Sequence, residues 1–358
     1  MSLPRPNYPR SEIIKSVAFD SERIHFESGD MWACTWGGDD NIYTACGDIK
    51  HHDYEYPSEA SIWKVTGSPY DKNGKIQMSL INYTPVDKEY AKTLPDTHNH
   101  NNIKPGGVIS VGGRLYMTVS SMNYGEPNHG FRQRYPNCWI AVSDDFGVTW
   151  DYKATPYDFF SGRLSGPTFV QFGKDNDGAR DEYVYAAFPC SFGGVSYWEN
   201  QDCLLMGRVP ADSLLERNAW AFYTSDGGWD SDDTKAAPIF EYPRMTGQDM
   251  IQYNKGLGRY ILGNYSFMSP RGMPRPYHTG EFIDCETKYP SQLTLFEAPE
   301  PWGPWSLFHI DDNWGTYGDY QPSFPTKWMS DDGLVMYMVS SGSFEDYKFV
   351  VQRVLLNI

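Results

Sequence analysis

Five hairpin-like segments recur along the chain, and this repetition limits its fold more than any other feature. Each segment joins two runs rich in β-branched and aromatic residues through a turn of Gly, Asp or Asn. Equivalent positions in the first strand of each segment are separated by 76, 61, 81 and 74 residues, namely Trp32, Val108, Phe169, Met250 and Phe324. A four-strand period repeated five times predicts an all-β chain that folds as a five-bladed β-propeller.

The repeats also predict the domain boundaries. Residues 15–358 are expected to form one propeller domain, and the Pro-rich residues 1–14 a poorly ordered arm. The fifth repeat lacks one strand, and the strand-like runs within residues 15–27 can supply it. Adding this N-terminal strand to the last blade would close the ring and remove an exposed sheet edge.

The composition limits the classes of partner. The formal net charge of −16 argues against nucleic acid or an anionic membrane surface. Aromatic residues make up 16% of the chain, which suits stacking on sugar rings and equally the core of a large β-fold. No apolar run approaches the roughly 18 residues of a transmembrane helix, and the first residues lack the apolar core of a signal peptide. We expect a monomer with a saccharide partner.

The cysteines and the acidic loops give little indication of a metal or cofactor. The six cysteines show no C-x-x-C or zinc spacing and are too sparse for a disulfide scaffold. Cys34 and Cys46 are diagonal neighbours on the first hairpin, so a disulfide between them is left open. The segment KDNDGARDE, residues 174–182, has the composition of a calcium loop without its spacing or its terminal Glu. We expect no cofactor, with a structural calcium ion as the alternative.

The first hairpin, Gly29–Asp48, carries an acid at each open end. If Trp36 pairs with Ile42, the same register sets Asp30 opposite Asp48, with their Cβ atoms about 4.5–5.5 Å apart. Like charges this close raise one pKa. Two carboxyl groups with separated pKa values are what glycoside hydrolysis requires, and a short separation of about 5–5.5 Å predicts retention of configuration. Asp30 and Asp48 are therefore the predicted catalytic pair.

A third carboxyl group precedes the first strand of the fourth repeat. Asp249 occupies the position that corresponds to Asp30, at the predicted channel mouth. An inverting reaction needs carboxyl groups about 6.5–9.5 Å apart. Asp249 is the candidate partner for that reaction.

The first strand of each blade lines the channel of a propeller, so polar residues near the ends of these strands should gather at the channel mouth. The sequence predicts the following substrate-binding residues there: Trp32, His51, His52, Asn102, Lys104, Arg163, Gln248, Tyr320 and Gln321. The simpler alternative is that these residues cap hairpin turns.

The segment SDDFGVTW, Ser143–Trp150, fits the S-x-D-x-G-x-T-W pattern of the Asp-box, a turn motif of sialidases and many other propellers. In that motif the Asp and Gly hold a tight turn and the Trp packs beneath it. The motif therefore supports the fold rather than the catalysis.

Three further segments make a more specific resemblance: residues 29–48 (GDMWACTWGGDDNIYTACGD), 253–266 (YNKGLGRYILGNYS) and 295–306 (LFEAPEPWGPWS). Together with the Asp-box they resemble a bacterial, actinobacterial and fungal propeller family of formerly unknown function that includes mycobacterial endo-D-arabinanases. The likeness covers roughly residues 25–345. It implies a five-bladed propeller that cleaves glycosidic bonds with paired aspartates, which correspond here to Asp30 and Asp48. Residues 50–61 and 97–102 match no motif, so the substrate does not carry over with the fold.

Two loops favour a competing chemistry. Residues 96–102 and 123–136 hold His, Tyr and Arg side chains beside the second repeat. A polysaccharide lyase needs a cation to neutralise a uronate carboxylate and a His or Tyr base to remove a proton. The candidate residues for this role, which could also bind the substrate of a hydrolase, are His98, His100, Tyr124, His129, Arg132 and Arg134. His98 and His100 could instead bind a metal, or these loop residues could simply be solvated.

The sequence thus favours a glycoside hydrolase that acts on an arabinan-like, furanose-rich polysaccharide or oligosaccharide. Such a substrate favours a secreted or periplasmic location. The alternatives are a uronate-specific lyase and a propeller that binds sugar without catalysis.

Overall fold

The computed structural model describes residues 3–49, 52–53, 58–69, 75–94, 102–123, 134–194, 196–197, 200–268, 290–315, 319–342 and 348–358. Their strands form five antiparallel sheets, one for each repeat, and the predicted five-bladed β-propeller is confirmed. No helix of the described ranges has the length and apolar character needed to cross a membrane.

The first half of the chain supplies the N-terminal strand and blades one and two. The elements are β1 (Ser16–Ser28), β2 (Asp30–Trp36), β3 (Ile42–Gly47), β4 (Ser61–Thr66), β5 (Gln77–Asn82), helix α1 (Lys88–Thr93), β6 (Asn102–Val111), β7 (Arg114–Asn123), β8 (Arg134–Ser143) and β9 (Phe160–Ser161). Blade one has the order β2-β3-β4-β5 from the channel outward, and blade two begins β6-β7-β8, with β9 paired to β8.

The second half supplies the other three blades. Its strands are β10 (Thr168–Phe169), β11 (Tyr183–Cys190), β12 (Ser196–Tyr197), β13 (Gln201–Pro210), β14 (Ala221–Tyr223), β15 (Trp229–Asp230), β16 (Pro238–Thr246), β17 (Met250–Asn254), β18 (Arg259–Ser266), β19 (Ser291–Ala298), β20 (Ser306–Trp314), β21 (Tyr320–Ser323), β22 (Val335–Gly342) and β23 (Lys348–Asn357). Blade three contains β10, β11, β13, β14, β15 and β16, blade four runs from β17 to β20, and β12 joins blade two. Within the described ranges, five 3₁₀ turns lie between strands: Gly162–Leu164, Lys174–Asn176, Arg217–Ala219, Asp233–Lys235 and Thr326–Trp328.

Blade five is closed by the N-terminal strand, as the sequence predicts. β1 pairs antiparallel with β23, from Ser16 opposite Asn357 to Ser28 opposite Lys348. The order of the sheet is β1-β23-β22-β21, so the first strand lies outermost. The two ends of the propeller are thus hydrogen-bonded to each other, and β23 has no open edge.

The N-terminal arm differs from the sequence prediction. Residues 3–14 lie against the outer strand of blade four, where the N–H of Leu307 donates to the carbonyl of Pro9 at 2.8 Å. Tyr8 stacks on Phe240 with ring centroids 5.2 Å apart. The arm thus packs against the propeller, which its Pro-rich composition did not indicate.

Large aromatic side chains fill the spaces between blades. Among the described residues, six tryptophans are at most 2% exposed: Trp32, Trp63, Trp139, Trp220, Trp305 and Trp328. Each blade presses its faces on two neighbours, so both faces of a blade need large apolar side chains. The core therefore accounts for much of the aromatic content that could have indicated sugar stacking.

The turn Ser143–Trp150 is held by its own side chains. The Asp145 carboxylate accepts hydrogen bonds from the N–H and the hydroxyl of Thr149, at 2.8 and 2.7 Å. The indole N–H of Trp150 donates to the carbonyl of Gly147 at 3.0 Å. Gly147 has φ 91°, and a Cβ there would lie 2.8 Å from the Ile62 side chain. The turn is thus structural and requires glycine at this position.

Cys34 and Cys46 do not form a disulfide. Both are buried free thiols, and the thiol of Cys34 donates to the carbonyl of Trp32 at 3.3 Å. Burial raises the pKa of Cys34 to about 12. The two side chains belong to the core of blade one.

Candidate active site

A series of contacts at the channel mouth joins neighbouring blades around the propeller axis. Tyr320 donates from its hydroxyl to Asp30 Oδ2 at 3.0 Å, which connects blades five and one. Gln321 donates to Gln248 Oε1 at 3.3 Å, and Gln248 donates to the carbonyl of Gly166 at 2.9 Å. These bonds link blades five, four and three. The predicted mouth residues Gln248, Tyr320 and Gln321 are thus brought together, and all three are buried.

Blades one, two and three are joined in the same way. Lys104 of blade two forms an ion pair with Asp48 of blade one. Thr118 donates from its hydroxyl to the carbonyl of Pro167, at 2.8 Å, just before the first strand of blade three. The mouth is therefore held by contacts between all five blades rather than by one loop.

A β-bulge in the first hairpin changes the predicted register of the acids. The turn end of the hairpin pairs as predicted, but Asp30 lies opposite Gly47 rather than Asp48. Met31 takes φ 64° and Asp48 takes φ 45°, both in the left-handed region that residues other than glycine avoid. The prediction of direct opposition is wrong because the bulge adds a residue to one strand. Such backbone outliers concentrate at functional sites.

Asp30 is a buried carboxyl group with a shifted pKa. Its side chain is 1% exposed, and within the described part of the chain its Oδ1 atom has no hydrogen-bond partner. Burial and, second, the charge of Asp48 raise the pKa of Asp30 to about 7, while Lys104 and the hydroxyl of Tyr320 oppose the shift. Asp30 can therefore hold a proton near neutral pH and release it.

Asp48 is in the opposite situation, because its side chain is 39% exposed while its partner Lys104 is 1% exposed. A buried ammonium group needs a carboxylate beside it to offset the loss of hydration. Asp48 thus presents a charged oxygen at the surface of the site. The two predicted catalytic acids differ in burial, in partner and in charge.

Glu59 is a carboxyl group at this site that the sequence reasoning missed. The pairing of β3 with β4 continues past the strand ends to Ile49, which lies opposite Ser58. In that register Asp48 lies opposite Glu59. Directly opposed residues have Cβ atoms about 4.5–5.5 Å apart. Extending the register of the first hairpin to the next strand, β4, would have identified Glu59, although residues 50–61 match no motif.

The environment of Glu59 completes a group of three acids around one lysine. Burial raises the pKa of Glu59 to about 7, with a smaller contribution from Asp48, and Lys104 and Lys88 act against it. Asp30, Asp48 and Glu59 all interact electrostatically with one another or with Lys104. The site therefore holds two carboxyl groups that titrate near neutral pH beside an ion-paired carboxylate.

Asp249 immediately precedes β17, the first strand of blade four. It is 1% exposed, and neither carboxyl oxygen makes a well-formed hydrogen bond to any described residue. Burial raises the pKa of Asp249 well above its usual value, and the backbone amides of Tyr265 and Gly247 oppose this only in part. Burial thus favours the protonated form of Asp249.

Three predicted substrate-binding residues lie in other places. Trp32 is buried between blades one and five, edge-on to Phe349 with centroids 5.2 Å apart, so its prediction is wrong. It follows the bulge, and its side chain points into the core. Arg163 donates to the carbonyl of Ala236 at the outer edge of blade three. His52 is exposed beside Asp53, with Nε2 3.3 Å from its carboxylate.

Of the predicted loop residues, Arg134 begins β8 opposite Tyr197, and most of the others lie outside the described ranges. Asn102 is described by its backbone, opposite Met122 at the start of β6. The residues outside the described ranges are His51, His98, His100, Tyr124, His129 and Arg132. The metal and lyase predictions that depend on them stay predictions.

The segment considered as a calcium loop, residues 174–182, lies within the described ranges. Asp175 uses its carboxylate on the β6–β7 turn, accepting from the Ser110 hydroxyl at 2.6 Å and the Gly113 N–H at 2.9 Å. No group of three His, Cys, Asp or Glu side chains in the described ranges is placed to hold a metal ion. Asp175 therefore braces the β6–β7 turn.

The fold and the site define a class: a five-bladed β-propeller whose channel mouth carries carboxyl groups around a buried lysine. The chain belongs to the family described as a domain of unknown function, DUF4185, whose model matches residues 16–353. This membership agrees with the resemblance to a propeller family of formerly unknown function. No curated protein matches the sequence.

Solved structures share the fold at low sequence identity. A proposed hydrolase from Bacteroides ovatus ATCC 8483 is 12% identical with a TM-score of 0.52, covering 93% of this chain and 87% of its own. The catalytic domain of a Coprinopsis cinerea GH62 alpha-L-arabinofuranosidase is 8% identical with a TM-score of 0.43, covering 99% and 95%. Bacillus subtilis levansucrase is 12% identical with a TM-score of 0.47, covering 97% and 91%. The first of these supports the propeller fold.

Proposed function

We propose that the protein is a glycoside hydrolase that cleaves a polysaccharide or oligosaccharide at the channel mouth, with Asp30 and Asp48 as the catalytic residues. The observation that carries the proposal is the contrast between these two carboxyl groups. Asp30 is buried with a pKa raised to about 7, and Asp48 is partly exposed and ion-paired with Lys104. Pairs of acids whose environments separate their proton affinities serve as acid and base in hydrolysis of this kind.

The roles follow from the two environments. Asp30 holds a proton, and its unpartnered Oδ1 is the atom available to donate that proton to the glycosidic oxygen as the bond to the anomeric carbon breaks. Asp48 stabilises the positive charge that develops on the sugar ring. It then either bonds to the anomeric carbon or takes a proton from the attacking water. Tyr320 orients Asp30 and Lys104 orients Asp48, so both act as positioning residues.

The favoured substrate is a neutral, furanose-rich glycan of the arabinan type. Its support is the likeness of residues 29–48, 253–266 and 295–306 to a family that includes endo-D-arabinanases. The net charge of −16 also disfavours a polyanionic substrate.

A substrate screen tests this proposal. The protein is incubated with arabinans, galactofuranans and uronate polysaccharides, and new reducing ends and ultraviolet absorbance are both measured. We expect reducing ends from a furanoside without absorbance, and a loss of turnover of at least about 100-fold in Asp30→Asn and Asp48→Asn. Absorbance from a uronate polymer would establish the lyase instead. Binding without reducing ends from any polymer would establish a sugar-binding propeller.

A further inference from the structure

A pocket beside Asp48 carries polar groups that the cleavage chemistry does not use. It is a cavity of about 120 Å³ with Glu59, Thr84, Lys88 and Lys92 among its lining residues. A protein cavity of about 150 Å³ can hold a benzene molecule, so this cavity has roughly the size of one small ring.

The pocket lies next to the proposed cleavage position. Glu59 lies in register with Asp48, and Ile103 of the pocket wall immediately precedes Lys104. The charges of Asp48 and Lys104 both act on Glu59. If one sugar residue of a glycan is bound at Asp48, the next sugar residue therefore lies within reach of this pocket.

The chemistry of the walls suits a neutral sugar. The lining offers ammonium and hydroxyl donors with the Glu59 carboxyl as an acceptor, together with the apolar side chains of Ala60, Val86, Ala91 and Ile103. An anion would meet Glu59, and a cation would meet Lys88 and Lys92. Sugar hydroxyls both donate and accept, and the C–H face of a sugar ring packs on apolar side chains. A neutral sugar is thus the ligand that matches both the polar and the apolar lining residues of the pocket.

A second depression continues from the first. It shares Thr84 and Lys88 with the pocket and is lined further along by Val148, Trp150 and Tyr152, with a volume of about 470 Å³. Val148 is 57% exposed, which is unusual for a large apolar side chain. Apolar and aromatic surface is the kind on which sugar rings stack. The two depressions meet at a pair of exposed polar side chains.

We propose that the two depressions form one groove that binds consecutive neutral sugar residues of a glycan chain, starting beside Asp48 and passing Thr84 and Lys88. This inference rests on the proposed function and specifies it further, because it assigns the residues that bind the sugars next to the cleaved bond. Lys88 and Thr84 lie at the junction of the two depressions and determine the preference for chain length.

Binding rather than turnover tests the groove. The affinity of linear arabino-oligosaccharides of two, four and six residues is measured by calorimetry in the Asp30→Asn background, which removes cleavage, for the otherwise wild-type protein and for Lys88→Ala with Thr84→Val. We expect affinity to rise with length in the wild-type protein, and the double variant to bind the hexamer at least about tenfold more weakly, since a hydrogen bond to a charged group is lost. Lys235→Ala removes another exposed, ion-paired lysine, on blade three, and is the matched control that keeps wild-type affinity.

Two results would overturn the groove. One is equal affinity for all three lengths, or no binding of any of them. The other is a double variant that keeps the wild-type dependence on length. Because binding is measured without cleavage, absence of reducing ends with length-dependent binding would count against the hydrolase and leave the groove intact.

Discussion

Asp30 has two neighbours that move its pKa in opposite directions. Single substitutions can separate these two effects on the pKa. The hydroxyl of Tyr320 donates to the ionised form and lowers the pKa, while the negative charge of Glu59 raises it. The acid form of Asp30 is the proposed proton donor. Activity should therefore fall as pH rises through about 7, the pKa to which Asp30 is raised.

The first prediction is a pair of opposite shifts in the alkaline limb of kcat/KM against pH. Tyr320→Phe removes the hydrogen bond, so the pKa of Asp30 rises and the limb moves to higher pH. Glu59→Gln removes a negative charge, so the pKa falls and the limb moves to lower pH. Tyr337→Phe, also on blade five but bonded to Pro69, is the control that should leave the limb in place. Shifts in the same direction would contradict these roles.

The second prediction concerns the stability effect of Asp249. Its pKa in the folded protein lies well above the unfolded value near 3.8, so the folded state keeps a proton that the unfolded state loses. The wild-type protein therefore loses stability as pH rises from about 4 towards the folded pKa. Asn is neutral at every pH, so the Asp249→Asn variant does not lose stability in this way.

Thermal unfolding at several pH values measures the difference. The unfolding temperature of Asp249→Asn minus that of the wild-type protein should increase from pH 4 to pH 8. Other carboxyl groups titrate equally in both proteins and cancel in this difference. A difference that stays constant with pH would show that Asp249 is ionised in the folded state.

At the scale of elements, the first hairpin depends on a glycine that precedes the bulge. Gly29 has φ 142°, and a Cβ there would overlap the sulfur of Cys46. Any side chain would both strain the backbone and displace the strand that carries Asp30. The position of Asp30 therefore depends on a neighbouring residue that has no side chain.

The third prediction follows from this geometry. Gly29→Ala should lower the free energy of unfolding by about 2–6 kcal/mol, since strain and overpacking each cost about 1–3. Gly112→Ala in the β6–β7 turn is the control, because it has φ 60° with no atom within 4 Å and should cost only about 1–2 kcal/mol. Urea unfolding measures both, and equal losses would exclude the steric overlap.

The hairpins could be predicted from sequence because their signals are local. Alternating apolar residues around Gly and Asp turns predicted five repeats. Counting the strands in each repeat showed that the fifth lacked one, which residues 15–27 could supply. The bulge could not be predicted, since a register count assumes equal numbers of residues on both strands. That single residue moved Asp48 out of opposition to Asp30.

The site was predicted in part for the same reason. Asp30, Asp48 and Lys104 flank first-strand hairpins, so their meeting at the mouth follows from the repeat. Glu59 lies before the third strand of its blade and was missed because only the first two strands were compared. The burial of Trp32 and Asp249 depends on neighbouring blades, which are distant in sequence.

At the scale of the whole molecule, β1 completes a blade whose other strands come from the far end of the chain. The fourth prediction is that deletion of residues 1–28 exposes the edge of β23. The variant should unfold at a lower temperature and associate in size-exclusion chromatography, because an open strand edge pairs with other chains.

Deletion of residues 1–14 is the matched control. It removes the contacts with blade four but keeps β1, so it should cost a few degrees and leave the protein monodisperse. If both deletions behave alike, the ring closure contributes nothing beyond the packing of the arm.

The pairing of β1 with β23 also sets the order of events during synthesis. Strand β1 leaves the ribosome first, and its hydrogen-bond partner leaves last. Until then the growing chain can complete four blades but not the fifth, and a contact this distant in sequence forms slowly. The nascent chain must therefore hold β1 without its partner until β23 has been synthesised.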